Sequence, residues 1–236
     1  MTCRATITLM RELSRAAFAF LSVILLPLSS RAAQVTLDFA GTVSFAMGDL
    51  GPTDGSIAVG TPASGRITFD NAAAPTSTST FTQDGGVGTD AHYSFAPPAW
   101  IFTLSVGSYL ITTSQTFDVL VHDAPLGTNV FENFTVSSSN STAAGPLNGD
   151  PNVSMGLGLF DSDGALLHSG SLTDVPLDLS LWNNGGQVIF RFTGSGAKWV
   201  VSLDSLRATV PEPSLLALLA LASGALATRA VTRSRS

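Results

Sequence analysis

Apolar side chains recur at every second position through most of the middle of this chain. Val35, Leu37, Phe39, Val43, Phe45 and Met47 alternate with polar or small residues. That is the period of a half-buried strand, whose successive side chains point to opposite faces. The pattern continues in Ile67 and Phe69, in Trp100, Phe102, Leu104 and Val106, and across Gly107-Ser108 into Tyr109 and Ile111. It returns in Phe117, Val119 and Val121, in Val130, Phe134 and Val136, and in Val153, Met155, Leu157 and Leu159. The last runs are Val188, Phe190 and Phe192, then Trp199, Val201 and Leu203. Turn-forming groups stand between them: Asp161-Ser162-Asp163-Gly164, Asn183-Asn184-Gly185-Gly186 and Gly194-Ser195-Gly196. No stretch of the body has a helical period. Nine to eleven short strands predict an all-β fold, an antiparallel β-sandwich or jelly-roll-like domain over residues 34–209. Residues 48–60, 71–90 and 137–152 are rich in Ser, Thr, Gly, Pro and Asn and read as loops.

Charge changes the picture twice. Only 12% of residues are charged, against roughly 25% in an ordinary soluble domain. The net charge of −6 also hides a segregation, because seven of the eleven basic residues lie in the two ends. Residues 34–210 keep four basic against fifteen acidic residues, a net charge of −11. So acidic a surface repels a phosphate backbone and excludes nucleic acid as a partner.

The ends read as addresses. Arg4, Arg11 and Arg15 precede a thirteen-residue apolar run, residues 16–28, and then Ser29-Ser30-Arg31-Ala32-Ala33. This is the layout of a secretory signal peptide over residues 1–33, handled by the export machinery and cut by signal peptidase after Ala32 or Ala33. A membrane span would need about 20 residues. The single cysteine, Cys3, falls inside the leader, so the exported product has no disulfide and no cysteine for lipid attachment. At the other end Val210-Pro211-Glu212-Pro213-Ser214 leads into an apolar run over residues 215–227, then Arg229, Arg233 and Arg235. The prolines hold the chain extended, and Leu and Ala favour a short transmembrane helix. The arginines act as a basic stop-transfer that stays on the cytoplasmic side. Such a helix is short for a ~30 Å hydrocarbon core, which suits a temporary anchor.

These three parts in order, with Pro211, Glu212, Pro213 and Ser214 as the motif, resemble the PEP-CTERM protein-sorting signal of exopolysaccharide-producing Gram-negative bacteria. The resemblance covers residues 210–236, and the basic end is more spread than a tight cluster. It implies recognition and cleavage near the motif by a membrane-embedded cysteine transpeptidase, an exosortase. It also implies transient residence in the inner membrane, then display at the cell surface or release with exopolysaccharide. Residues 60–70, Gly-Thr-Pro through Gly-Arg-Ile-Thr-Phe-Asp, resemble an early strand of PEP-CTERM proteins with β-sandwich ectodomains. That likeness brings no activity with it.

The body offers little chemistry by spacing. Residues 85–90, Gly-Gly-Val-Gly-Thr-Asp, match the core of a calcium-binding nonapeptide, but in one copy, and such sites form between stacked repeats. Asp161-Ser162-Asp163-Gly164 resembles the start of a calcium loop without its third ligand or its distal Glu. Asp90, Asp161 and Asp163 are therefore the candidate calcium ligands, set against a glycine loop and a hairpin turn; no cofactor is otherwise expected. His92, His122 and His168 are dispersed, with no metal-binding spacing. No nucleophile elbow or phosphate loop occurs, and Glu132 is the one glutamate of the body, so no catalytic carboxylate pair stands out. Trp100 and Trp199 are in phase with core positions. Trp182 is out of phase with Leu177, Leu179 and Leu181. Packing on a second face would explain that phase; outward presentation would too, which makes Trp182 the candidate glycan contact. The expectation is a non-enzymatic surface or matrix protein, with a glycan-binding module, calcium-assisted or not, and an extracellular hydrolase as the alternatives.

Overall fold

Each alternating stretch forms a strand, and two stretches without apolar alternation do so as well. The structure is a computed structural model that describes residues 34–48, 51–83, 85–125, 131–149 and 151–209. The leader, Pro211 to Ser214, and Arg229, Arg233 and Arg235 lie outside the described residues, as do the expected flanking helices. The strands are β1 (Gln34–Met47), β2 (Pro62–Asp70), β3 (Ser77–Gln83), β4 (Gly86–Phe95), β5 (Ile101–Val106) and β6 (Tyr109–Thr113). They continue as β7 (Phe117–Asp123), β8 (Glu132–Ala144), β9 (Asn152–Asp161), β10 (Gly186–Phe192) and β11 (Lys198–Thr209). The only helical pieces among the described residues are three short 3-10 turns. None is long and apolar enough to cross a membrane.

All strand pairs are antiparallel, and eight strands close on themselves in the order β8-β6-β5-β2-β1-β11-β10-β9, with β9 returning to β8. The remaining three, β7, β4 and β3, extend from β8. One irregularity makes both arrangements possible. The register of β8 against β9 slips between Ser138 and Ser141. Before the slip β8 pairs β7, up to Asp118↔Ser137; after it β8 pairs β6, from Thr113↔Ser141. A bulge bends and twists a strand, so one strand serves the closed ring and its extension. Alternation assigns faces but not closure, which is why the sequence did not distinguish a barrel from a sandwich.

The ring is filled by the inward set: Leu37, Ile67, Phe102, Leu104, Leu157, Val188 and Val201 are all buried. Trp199 anchors one side, stacked on Phe190 at 5.1 Å and 7°, with its Nε1 donating to the Ile57 carbonyl at 3.2 Å. Gly41 lies where β1 and β11 nearly touch: a Cβ there would sit 2.0 Å from the Ser202 carbonyl oxygen. A second slip, between Val43 and Phe45, turns the end of β1 over. Phe45 and Met47 are consequently half exposed rather than continuing the inward face of Val43.

Two loop expectations are corrected. Residues 71–90 contain β3 and the start of β4, and β8 runs on to Ala144. β3 buries no residue, so it has no apolar face to produce a period of two, while its threonines suit extended backbone. Residues 86–90 are strand, and the match to a calcium nonapeptide has no loop to support it. Residues 162–185, between β9 and β10, carry buried Leu167, Leu172, Val175 and Trp182. Residues 166–170 pack over the inner face of the extension, where the Tyr93 hydroxyl donates to the Gly170 carbonyl at 2.7 Å, and the turn at Leu179–Leu181 lies against β11.

Candidate functional site

The two faces of the β4–β7–β8–β9 sheet carry different chemistry. On the outer face register aligns four residues in a row: Asp90 opposite His122, His122 opposite Asn133, and Asn133 opposite Phe160. Directly opposite side chains share a face and step across the sheet by about 4.8 Å. His122 Nδ1 donates to Asp90 Oδ1, which leaves Nε2 as the remaining polar atom of the ring. Phe81 of β3 stacks on the imidazole, 4.6 Å between centroids and 6° between planes. It reaches there because Gly88 stands opposite it: a Cβ on Gly88 would lie 2.3 Å from the Phe81 ring. Phe160 bends over Gly158 in the same way, 2.5 Å from where a Cβ would be. A carboxylate, an imidazole and an amide thus lie between two phenyl rings on a half-buried strip.

The inner face is dry. Glu132 and Asp161 are cross-strand partners at the end of β8 and β9, with 0% and 2% exposure. Glu132 Oε2 accepts from the backbone N–H groups of Leu166 and Leu167, 2.9 Å each. Its Oε1 is buried with no hydrogen-bond donor. Burial raises the Glu132 pKa, the two N–H groups oppose that rise, and the charges of Asp123 and Asp161 add to it. Asp161 is raised by burial and by Asp163 beside it, although the Asp163 N–H donates to its Oδ2 at 3.3 Å. Asp123 is also raised by burial, against the pull of His168 and His122. Chemically, this corner ties residues 162–185 to the sheet.

No protein-family model matches the chain, and no curated protein or solved structure matches it. The site rests on its own residues.

Of the residues singled out by sequence, Asp90 stands on the outer face, whereas Asp161 is buried on the inner one. The three candidate calcium ligands are therefore not brought together. Among the described residues no group of three His, Cys, Asp or Glu side chains is placed to hold a metal. Asp161 and Asp163 form a turn in which the Asp163 carboxylate accepts from Ala165 N at 3.1 Å.

Trp182, the candidate glycan contact, is 2% exposed, with Nε1 donating to the Pro176 carbonyl at 3.0 Å. Of the two readings of its phase the packed one holds, and the segment Leu179–Leu181 is a 3-10 turn rather than a strand. Asp178 caps that turn by accepting from Ser180 N at 3.0 Å, which lowers its pKa.

His122, Asn133, Phe81 and Phe160 were not recognised from sequence. The signal available was local: an aromatic residue two positions from a glycine in β9, and a glycine-rich run facing Phe81. The register that joins four separate strands has no trace in one sequence. At another part of the domain an open depression of about 410 Å3 is lined by Pro52, Asn148, Phe192 and Ser195. Among the described residues no titratable side chain lines it.

Proposed function

We propose that this is an exported, non-enzymatic surface or matrix protein, sorted through Pro211 to Ser214 by an exosortase-type transpeptidase and held among exopolysaccharide. The observation that carries the sorting reading is the order of Pro211 to Ser214, the apolar run and the arginines directly after the last strand of the domain. β1 begins at Gln34, next to the expected signal-peptidase cut, and β11 ends at Thr209, two residues before Pro211. Thr36 pairs with Thr209, so the motif follows directly from a strand held in the sheet. Intact-mass analysis of protein from the envelope and the medium of an exosortase-bearing host tests it. Loss of residues 1–33 and a second cut near Pro211 to Ser214 are expected; a main species retaining Arg229 to Ser236 overturns the reading.

Within that function the outer strip is the glycan contact, in place of Trp182. Asp90, His122 and Asn133 offer hydrogen-bonding groups to sugar hydroxyls, and Phe81 and Phe160 offer apolar ring surface beside them. The inner carboxylates are closed over by Leu166 and Leu167, which favours binding over hydrolysis. We also read the closed ring as flattened towards the two facing layers of a sandwich. Phe69 of β2 reaches Phe134 of β8 at 6.1 Å between centroids, three strands away round the ring. Retention of the protein on neutral and acidic polysaccharides, with and without calcium, tests the contact. Turnover of the polymer would place the protein among the hydrolases instead.

A further inference from the structure

We infer that β3 is a self-association edge, through which two copies of this chain pair antiparallel about a two-fold axis at Thr80. The inference does not depend on export or on glycan binding. Closure of the ring gives each of its eight strands two neighbours, with β11 beyond Ser202 paired only with β1 but carrying the exposed charges of Asp204 and Arg207, and β4 and β7 are each flanked by two neighbours. Among the described residues β3 alone ends the sheet, paired only with β4. An edge strand presents a row of backbone donors and acceptors that can template another strand, and proteins blunt it with charge, proline or bulges.

β3 has none of these. Ser77-Thr78-Ser79-Thr80-Phe81-Thr82-Gln83 carries no charge and no proline. Its register with β4 runs unbroken from Ser77↔His92 to Gln83↔Gly86. Residues 77–80 and Thr82 are exposed. A copy of the chain is the occupant because the strip pairs with itself in register, and because it is where two acidic domains repel each other least. The domain carries −11 over residues 34–210, so two copies repel over most of their surfaces but meet no charge along this strip.

The strip is also self-complementary, as an isologous contact must be. Turned about Thr80, it sets Thr80 against Thr80, Thr78 against Thr82 and Ser79 against Phe81. Threonine–threonine pairs are favourable across antiparallel strands. A contact of one seven-residue strand is smaller than the ~1,200 Å2 of a standard interface, so the association is weak and matters where copies are crowded.

Sedimentation velocity of the full chain over a wide concentration range, in a mild detergent that masks the apolar ends, tests this. A monomer–dimer equilibrium in the high micromolar to millimolar range is expected. Thr78→Lys with Thr82→Lys places like charges opposite each other twice and should raise the dissociation constant about tenfold or more, about 1.4 kcal/mol. Thr78→Lys with Thr82→Glu places opposite charges in the same two pairs and should restore association to about the parent level. Both positions are exposed, and an unchanged thermal melt confirms that each variant is folded. A chain that stays monomeric at every concentration overturns the inference. So does association indifferent to the two double variants, which would then belong to the apolar ends or another face.

Discussion

Asp90 and Asp161 lie on opposite faces of one sheet, and their surroundings diverge completely. Asp90 stands on the wet face, its side chain 26% exposed and hydrogen-bonded to His122. Asp161 stands on the dry face opposite Glu132, where burial and neighbouring acids favour the protonated forms. The same functional group therefore reads as a ligand contact on one side and as a structural tie on the other. The deciding variable is strand parity, since one residue of displacement exchanges the two faces. Substitutions on the two faces should separate cleanly, with the inner face changing stability and the outer face changing binding.

The largest effect is expected in the segment whose earlier part covers the inner face. Trp182→Ala removes a buried indole and its bond to Pro176, and should destabilise the domain by about 3–5 kcal/mol. Chemical denaturation measures it. A near-neutral result would mean that residues 162–185 do not pack as described, and the dry face would lose its boundary.

Next is Glu132→Ala, which leaves two backbone N–H groups in the cover without an acceptor. At about 1–3 kcal/mol for an unsatisfied buried polar group, the loss should approach that of Trp182→Ala. Asp90→Ala on the outer face should stay within about 1 kcal/mol. Equal losses at the two positions would erase the distinction between the faces.

Glu132→Gln sharpens the comparison through pH. Glu132, Asp161 and Asp123 all have raised pKa values. The folded state therefore keeps protons that the unfolded chain has released above the ordinary carboxylate pKa of about 4. Stability is greatest below that value and falls as pH rises through the raised pKa values. The amide of Gln accepts from Leu166 and Leu167 without acquiring a charge. Thermal melts should show Glu132→Gln close to wild type in mild acid and more stable near neutrality, with a flatter pH profile. The lowered pKa of Asp178 acts in the opposite direction, but from an exposed turn. A wild-type melting temperature that climbs from acid to neutral pH would show that the carboxyls of the corner are ionised and stabilising.

Much of this architecture could be read along the chain, and what could not has a common cause. The runs through Phe102, Val119, Leu157 and Val188 announce their strands because one face is buried and the other is not. β3 announces nothing, since both its faces are polar. Phe45 and Met47 continue an apparent period past a bulge that reverses their direction. Trp182 was assigned a strand phase in a segment that is not a strand. The candidate sites follow the same logic: the Asp90–His122–Asn133 row exists only through pairing among β4, β7 and β8, and pairing between distant strands is not written in local periodicity. Glu132 was visible as the single glutamate of the body, but not as the acceptor for two amides 34 and 35 residues away.

A modest stability effect should accompany the most specific loss of function. His122→Ala removes a partly exposed ring, its hydrogen bond to Asp90 and its stack with Phe81, on the face opposite the buried carboxylates. About 1 kcal/mol is expected from the hydrogen bond, with a further 0.5–1.5 kcal/mol at most from the ring contact. The fold should therefore survive, and the far-UV circular dichroism should remain that of a β protein. The strip, however, loses its central polar group and the support that holds Phe81 in place. Retention on a neutral polysaccharide should drop to the level of the support matrix, whereas Asp178→Ala, an acid exposed elsewhere on the domain, should leave it unchanged. Reduced retention in both variants would mean that the −11 surface acts as a whole. Undiminished retention in His122→Ala would remove the outer strip from consideration and make the open depression beside Phe192 the next surface feature to test.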